Sequence, residues 1–327
     1  MRVRFWVIAL LALGAAAILG VALGAVRLSP AAIWAALLGH GDSTTVAIVQ
    51  RIRLPRVALS ALAGAALGMS GAAMQGTLRN GLAEPYLLGV SGGAAVGAVA
   101  AIALGLNVVL GVPLAAFAGA AGAAALVLAI ARVAGGRADV RLLLMAGVVV
   151  GAFANAAIMV VYATAPPETV RGALWWMMGS ADGADWRRVG WLAAYVAIGG
   201  GALVLWARDL DALALGDDGA AALGVDVERA SRRAYLAAAL LAAATVAAAG
   251  LVGFVGLVVP HIVRAAGVRQ HRTLLWGTAV VGAALVISAD VVARTIRPPA
   301  ELPLGAVTAL LGVPFFLFQL RRLAVRS

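Results

Sequence analysis

Long apolar runs separated by short polar gaps dominate this sequence. A helix that crosses a lipid bilayer needs about 20 predominantly apolar residues, and runs near that length recur along the whole chain. Polar and charged residues are mostly confined to the gaps between them. The pattern predicts an all-α, polytopic membrane protein, a single domain over residues 1–327 with about ten transmembrane helices. The predicted spans lie near residues 6–26, 57–76, 86–105, 109–131, 142–163, 189–206, 233–250, 252–268, 273–293 and 304–320.

Composition supports a membrane-embedded chain. Hydrophobic residues make up 64% of the sequence and charged residues only 12%, with a mean hydropathy of +1.02. A soluble domain of this length needs more charge to cover its surface. The 40 glycines favour spans whose backbones approach closely through small residues.

The positions of the arginines predict the orientation of the spans. The first apolar run follows a short basic segment, and no clear cleavage site follows it, so we interpret it as an uncleaved first span with its N-terminus inside. With ten spans, 16 of the 25 arginines then fall on the inside and nine on the outside. This bias has the sign that the positive-inside rule requires. Both termini are therefore predicted to be cytoplasmic.

Two connections between spans are unusual. The outside segment 163–188 contains three tryptophans and a WWMM run, which predict an interfacial helix at the outer membrane surface. The inside segment 208–233 is too polar to span and predicts two short helices separated by Gly219, with Gly216 and Gly224 as caps. A compact element of this kind on the cytoplasmic face suits docking to another protein.

Two absent residue types exclude several functions. The sequence has no lysine and no cysteine. A Walker A loop needs a lysine that reaches the nucleotide phosphates, so this chain has no such loop and ATP hydrolysis requires a separate subunit. Thiolate metal sites are excluded, and the three histidines lack the spacing of metal ligands. The net charge of +11 comes from arginines that punctuate apolar runs, which is typical of span ends and not of a nucleic-acid-binding stripe.

Five separated segments carry a resemblance to a known family. The chain resembles the FecCD-type permeases of ATP-binding-cassette (ABC) importers, which handle iron–siderophore complexes, haem and cobalamin. One departure is Gly81, where the family usually has proline in an NPLA motif. The segments, in order, are RLPR (53–56), GMSGAAMQGTLRNGLAEPYLLGVSGGA (68–94), ALALGDDGAAALGV (212–225), AGLVGFVGLVVPHIVR (249–264) and ADVVARTIRPPAELPLGAVTALLGVPFF (289–316).

The resemblance implies a transport subunit and not an enzyme. It implies a homodimeric permease in the bacterial inner membrane, with the path at the subunit interface and no cofactor or metal bound by this chain. A cytoplasmic ATPase dimer that holds ATP and Mg²⁺ is expected below it, and a periplasmic substrate-binding protein above it. The expected cargo is a bulky iron chelate, siderophore or haem, with cobalamin as the alternative. An ion-coupled secondary transporter is the rival from another class, although such proteins place ionisable groups near mid-membrane.

Four arginines are predicted to dock the binding protein. In related permeases, positions matching Arg53, Arg56 and Arg294 pair with glutamates of the binding protein, and Arg297 is a weaker candidate. A guanidinium is a rigid, permanently charged fork suited to bidentate carboxylate pairing. The alternative is that these arginines anchor span ends to lipid phosphates.

The inside segment supplies the predicted ATPase-coupling residues. Because apolar side chains anchor helices in grooves, the residues of this segment are expected to fit a groove of the ATPase. The alternative is an amphipathic helix that lies on the membrane. The predicted residues are Leu213, Leu215, Gly216, Asp217, Leu223, Gly224 and Val225.

A cytoplasmic gate is predicted at two inside turns. The resemblance places Leu82 on the turn after the second span, and Asp139 and Val140 on the turn before the fifth. Ordinary loop packing explains these residues nearly as well.

Polar residues inside the spans have structural interpretations. Gln75, Asn155 and Thr245 are expected to form interhelical hydrogen bonds, and Asp290 is expected to form a tertiary one. His261 is expected to bond locally at a helix end. Four methionines, Met69, Met74, Met145 and Met159, are assigned to packing, with a lining of the transport path as the alternative.

Overall fold

The computed structural model describes residues 2–107, 109–135 and 140–324. Helices account for nearly all regular structure there, and the described residues contain no β-strand. A π-helical turn (Ile48–Arg53) leads into α4, and a 3₁₀ turn (Pro85–Leu88) precedes α5. The α-helices are α1 (Arg2–Ala22), α2 (Pro30–Leu37), α3 (Ser43–Ala47), α4 (Leu54–Thr77), α5 (Val90–Ala103), α6 (Gly111–Gly135), α7 (Val140–Thr164), α8 (Pro167–Met177), α9 (Trp186–Leu205), α10 (Ala207–Leu213), α11 (Asp217–Ala222), α12 (Val227–Ala249), α13 (Val255–Ala265), α14 (His271–Thr295) and α15 (Leu304–Ala324).

Each predicted span coincides with one helix. Within the described residues, seven helical stretches are long and apolar enough to cross a membrane: α1, α3 to α4, α6, α7, α9, α12 and α14. The helices at the other three predicted spans, α5, α13 and α15, have shorter apolar stretches. At 1.5 Å per residue, α13 is only about half as long as a bilayer core is thick. The chain is therefore a multi-pass helical protein, and the count of ten spans stays a prediction.

Helix α4 is the centre of the molecule. It packs against α9, α12, α13 and α14, and most of its residues are buried. Glycines allow the closest of these contacts: a Cβ added at Gly64 would lie 2.0 Å from the carbonyl oxygen of Gly282, and one at Gly68 would lie 2.4 Å from that of Thr278. Larger side chains would force α4 and α14 apart, which agrees with the predicted role of small residues.

The periphery of the chain is apolar and exposed. Helix α7 leaves Phe153, Met159 and Val160 largely uncovered, and α15 does the same with Leu310 and Leu317. Because apolar side chains are stable in lipid or against another apolar surface, exposure on this scale fits a membrane protein and would be a liability in water.

The two unusual connections are both helical. Helix α8 contains Trp175, which is exposed, and Trp176, whereas the third tryptophan of the 163–188 segment, Trp186, begins α9. In the 208–233 segment, α10 and α11 form the predicted pair of short helices. The prediction that Gly219 separates them is wrong: Gly219 lies inside α11, and Gly216 stands between the helices with a φ of 102°. That φ strains any side chain with a Cβ. Gly224 follows α11 with a φ of 79°, as a helix-ending glycine does.

Segments predicted on the same side of the membrane meet in space. At one end, the Trp186 indole N–H donates to the Gln50 carbonyl oxygen at 3.0 Å, and the Leu304 N–H donates to the Gly179 carbonyl oxygen at 3.0 Å. At the other end, Arg79 pairs with Asp217 at 2.9 Å. We call the first the outer end and the second the inner end, after the sides that the arginine bias predicts.

Candidate docking, coupling and gate sites

A buried charge cluster ties four segments together at the outer end. Arg56, at the start of α4, is 6% exposed, and Asp290, near the end of α14, is 1% exposed. The Arg56 Nε and Nη2 atoms donate to the Asp290 carboxylate at 2.9–3.1 Å. Its Nη1 and Nη2 atoms also donate to the two Glu301 carboxylate oxygens, at 2.8 and 2.7 Å. Asp182, which is largely exposed, lies 3.6 Å from Arg56 Nη1.

Arg53 and Arg294 complete this end by binding helix α1. The Arg53 guanidinium donates to the carbonyl oxygens of Val21 and Ala22 at 2.7 and 2.8 Å, where α1 ends and its carbonyls lack helical partners. The Arg294 Nη2 atom donates to the Gly20 carbonyl oxygen at 2.6 Å, and its Nε lies 3.3 Å from Asp290. A positive charge at a helix C-terminus also interacts favourably with the helix dipole.

These contacts change the interpretation of the predicted docking residues. Arg53, Arg56 and Arg294 are 3–7% exposed and hold partners within the chain, so none presents a free guanidinium at the surface. Arg297 is the one of the four that is exposed. Docking through the set stays a prediction, and the contacts assign the three buried arginines a structural role. Sequence reasoning missed Glu301. The tertiary contact expected for Asp290 is confirmed. Its position four residues before Arg294 was the signal available in the sequence.

The predicted coupling residues divide into buried and exposed groups. Leu213 is 1% exposed, so the prediction that it anchors a partner is wrong: it belongs to the chain's own core. Leu215 and Leu223 are 69% and 64% exposed. They lie on either side of α11, and Val225 beyond it is partly buried. The inner end therefore presents two large apolar side chains that flank a short helix beginning with two aspartates.

Two polar contacts fix α10 and α11 against the spans. The Asp217 carboxylate accepts a hydrogen bond from Arg79, just after α4, at 2.9 Å. The Asp211 carboxylate accepts one from the His271 backbone N–H at 2.9 Å and lies 2.7 Å from His271 Nδ1. Because His271 begins α14, these contacts connect the 208–233 segment to α4 and α14.

The predicted gate is partly described. Leu82 is 48% exposed. It lies in a turn where its backbone N–H donates a hydrogen bond to the Asn80 side-chain oxygen at 2.9 Å. Val140 is the first residue of α7, and Asp139 lies outside the described residues. Exposure of Leu82 at the inner end is compatible with a gate and does not test it.

Two non-helical segments meet behind that turn. The Glu84 carboxylate accepts a hydrogen bond from the Phe254 backbone N–H at 2.8 Å, at the break between α12 and α13. Burial raises the pKa of the Glu84 carboxyl, and the hydrogen bond from Phe254 acts in the opposite direction. Non-helical backbone inside a membrane protein needs such internal partners, so this contact supports both breaks.

The remaining polar predictions have mixed outcomes. Gln75 forms the expected interhelical bonds, to the Gly256 and Leu257 carbonyl oxygens. His261 lies 2.8 Å from the Leu257 carbonyl oxygen of its own helix, which confirms the local contact. Thr245 was predicted wrongly: its hydroxyl donates to Leu241 one turn earlier, because a threonine hydroxyl can satisfy itself within a helix. Asn155 is exposed.

Two of the four methionines pack as predicted. Met69 and Met74 are buried in the core, while Met145 and Met159 are 65% exposed on α7. Among the described residues, no group of three or more His, Cys, Asp or Glu side chains could hold a metal ion.

The chain is similar to a known family of transport proteins over nearly its whole length. Residues 10–322 match the model of the FecCD transport family. A cobalamin import system permease from Halobacterium salinarum is 44% identical over 295 residues, which cover 90% of this chain and 79% of that protein. A hemin transport system permease from Yersinia pestis is 40% identical over 276 residues, which cover 83% and 82%.

Solved structures show the same fold. A metal-chelate type ABC transporter in an inward-facing conformation matches 98% of this chain and 99% of its own, with a TM-score of 0.86 and 26% identity. The PsaBC structure from Streptococcus pneumoniae, at 13% identity and a TM-score of 0.61, supports the fold alone.

Proposed function

Because the chain belongs to the FecCD transport family, we propose that it is the transmembrane subunit of an ATP-driven importer in the bacterial inner membrane. It receives a bulky iron chelate, a siderophore complex or haem, from a periplasmic binding protein and passes it to the cytoplasm. A separate cytoplasmic ATPase dimer binds ATP and Mg²⁺. The match over residues 10–322 is the observation that carries this proposal.

The inner end supports the ATPase partnership. Leu215 and Leu223 are large, apolar and exposed on a segment with four carboxylates nearby. Carboxylates disfavour contact with an anionic membrane surface, so a groove on a protein partner is the better environment for these leucines. Contacts of Asp217 with Arg79 and of Asp211 with His271 give the docked ATPase a direct connection to the spans.

A second copy of the chain completes the transport path. The exposed apolar faces of α7 and α15 are candidates for the subunit interface, since both carry several uncovered large side chains. ATP binding to the ATPase then favours one of two states of the permease, open outward or open inward, because the ATPase contacts the two states differently.

Cobalamin is the second candidate cargo, and it is supported as well as an iron chelate. The 44% identical relative is a cobalamin permease, and the 40% identical relative carries hemin. A cargo held by a soluble binding protein need leave little recognisable pattern in the permease.

Uptake by the assembled complex tests the function and the cargo together. The permease, its ATPase and its binding protein are reconstituted in liposomes and given labelled ferric siderophore, haem or cobalamin. We expect ATP-dependent accumulation of one of them, and none with a catalytically inactive ATPase. Accumulation driven by a proton gradient without ATP would instead favour a secondary transporter.

A further inference from the structure

A basic cavity opens at the inner end, apart from the exposed leucines of the coupling segment. It has a volume of about 600 Å³, within the range of small-molecule sites. The end of α4, the end of α13 and the start of α14 enclose it, with Ala214 after α10 at one side. Its chemistry comes from six side chains: Gln75, Arg79, His261, Arg264, Arg269 and His271.

Positive charge in this cavity is only partly balanced. Arg79 has a carboxylate partner, Asp217, outside the cavity. Arg264 is half-buried, and its Nη1 donates to the neutral amide oxygen of Gln75. Arg269 is exposed, and no salt bridge to it is found among the described residues. Of the described residues, none that lines the cavity carries a carboxylate, so the cavity attracts an anion.

His271 adds a buried polar atom that lacks a partner. The residue is 5% exposed, and its Nδ1 faces Asp211. Its Nε2 lies against Gly76, another residue of the cavity wall, and has no hydrogen-bond partner within the described part of the chain. Leaving a buried polar atom unpaired costs free energy. With the Nδ1–H of the neutral ring donated to Asp211, Nε2 is an acceptor, so His271 lines the cavity without supplying a donor to an anion.

We propose that this cavity binds a phosphate group, held chiefly by Arg264 and Arg269. Guanidinium forks match phosphate oxygens in bidentate geometry, and basic pockets between spans on the cytoplasmic side suit lipid headgroups. The phosphate belongs either to an anionic lipid of the inner leaflet or to a soluble phosphate. In both cases the ligand would bridge α13 and the start of α14, next to the contact that fixes α10.

Direct binding to the purified full-length chain tests this site without any transport measurement. One arm titrates short-chain phosphatidylglycerol or phosphatidylcholine and counts bound lipid by native mass spectrometry. The other arm titrates inorganic phosphate by calorimetry. We expect phosphatidylglycerol or inorganic phosphate to bind, and Arg264→Gln to weaken that binding about tenfold through the loss of charge-assisted hydrogen bonds.

Arg269→Gln is the decisive variant, because an exposed side chain can be replaced without disturbing the fold. It should weaken binding by about threefold or more, and Arg272→Gln serves as its matched control. Arg272 is an exposed arginine at the same helix start but does not line the cavity. Selective binding of phosphatidylglycerol identifies a lipid site, and binding of inorganic phosphate identifies a soluble ligand. The proposal is overturned by no binding in either arm, or by an equal effect of Arg269→Gln and Arg272→Gln.

Discussion

Two groups of arginines, one at each end of the molecule, have opposite surroundings. At the outer end, Arg56 is buried and satisfied by Asp290 and Glu301 of the same chain. At the inner end, the side-chain partner that the described residues provide for Arg264 is an amide, and Arg269 is exposed at an open cavity. Charges that are balanced inside the chain hold helices together, whereas charges without internal carboxylates remain available to other molecules.

Physical chemistry explains why each arrangement is stable where it lies. A buried guanidinium loses its water and needs carboxylates in good geometry, which Arg56 has on both sides of its fork. An exposed guanidinium keeps its water, and its pairing contributes little to folding. Substitutions at the outer end should therefore mainly lower the stability of the chain. Substitutions at the inner end should mainly weaken its binding of partners.

Breaking the outer cluster should give the largest effect. Asp290→Asn leaves Arg56 and Arg294 buried with less negative charge, and we expect a loss of about 3–5 kcal/mol in the free energy of unfolding. Detergent-based unfolding measures this loss. The matched control is Asp182→Asn, whose exposed carboxylate lies 3.6 Å from Arg56 and should contribute about 1 kcal/mol or less. Equal losses for the two variants would contradict a structural role for the cluster.

Removing the apolar surface of the inner end should weaken binding of the ATPase to the permease. Leu215→Asp combined with Leu223→Asp should reduce association with the ATPase by at least about tenfold, since buried leucines contribute about 1.5–3 kcal/mol each. Surface-bound permease in nanodiscs gives the affinity. Leu104→Asp, at an equally exposed leucine after α5, is the control and should leave ATPase affinity unchanged. An unaffected double variant would exclude this segment as the coupling site.

Docking at the outer end should depend on its exposed arginine. Arg297→Glu should slow association of the binding protein by up to about tenfold and reduce the salt dependence of the rate, because such charges mainly steer encounter. Stopped-flow or surface measurements at low and high salt test this. Arg27→Glu, an exposed arginine predicted on the same side, is the control. Association that is insensitive to salt in the unaltered protein would count against docking through arginine.

The smallest effect is expected at the exposed ion pair of the inner end. Arg79→Gln removes the 2.9 Å contact with Asp217, whose side chain is 64% exposed. Solvent screening limits its contribution to about 1 kcal/mol or less, so unfolding of this variant should nearly match that of the unaltered protein. A loss as large as that of Asp290→Asn would abolish the contrast between the two ends.

The coupling segment shows how far local pattern carries a prediction. A pair of short helices with Gly216 and Gly224 at helix ends was predictable from residues 208–233, because turns and caps are local properties. The break between the helices fell at Gly216 and not at the predicted Gly219. The sequence did not reveal that Leu213 is buried while Leu215 is exposed. That difference depends on how α10 packs against distant helices, which local pattern does not contain.

The sequence by itself determined the helical class, the places of the long spans and the absence of a Walker A loop. Apolar runs of about 20 residues are expected to be helical in a bilayer, because a helix gives each backbone group a partner within its own segment. Only the tertiary structure decided which arginines are buried. Arg56 meets Asp290 and Glu301 across separations of 234 and 245 residues, and contacts between such distant positions depend on how the helices pack. For the same reason, the cavity at Arg264 and Arg269 became visible only in the folded chain.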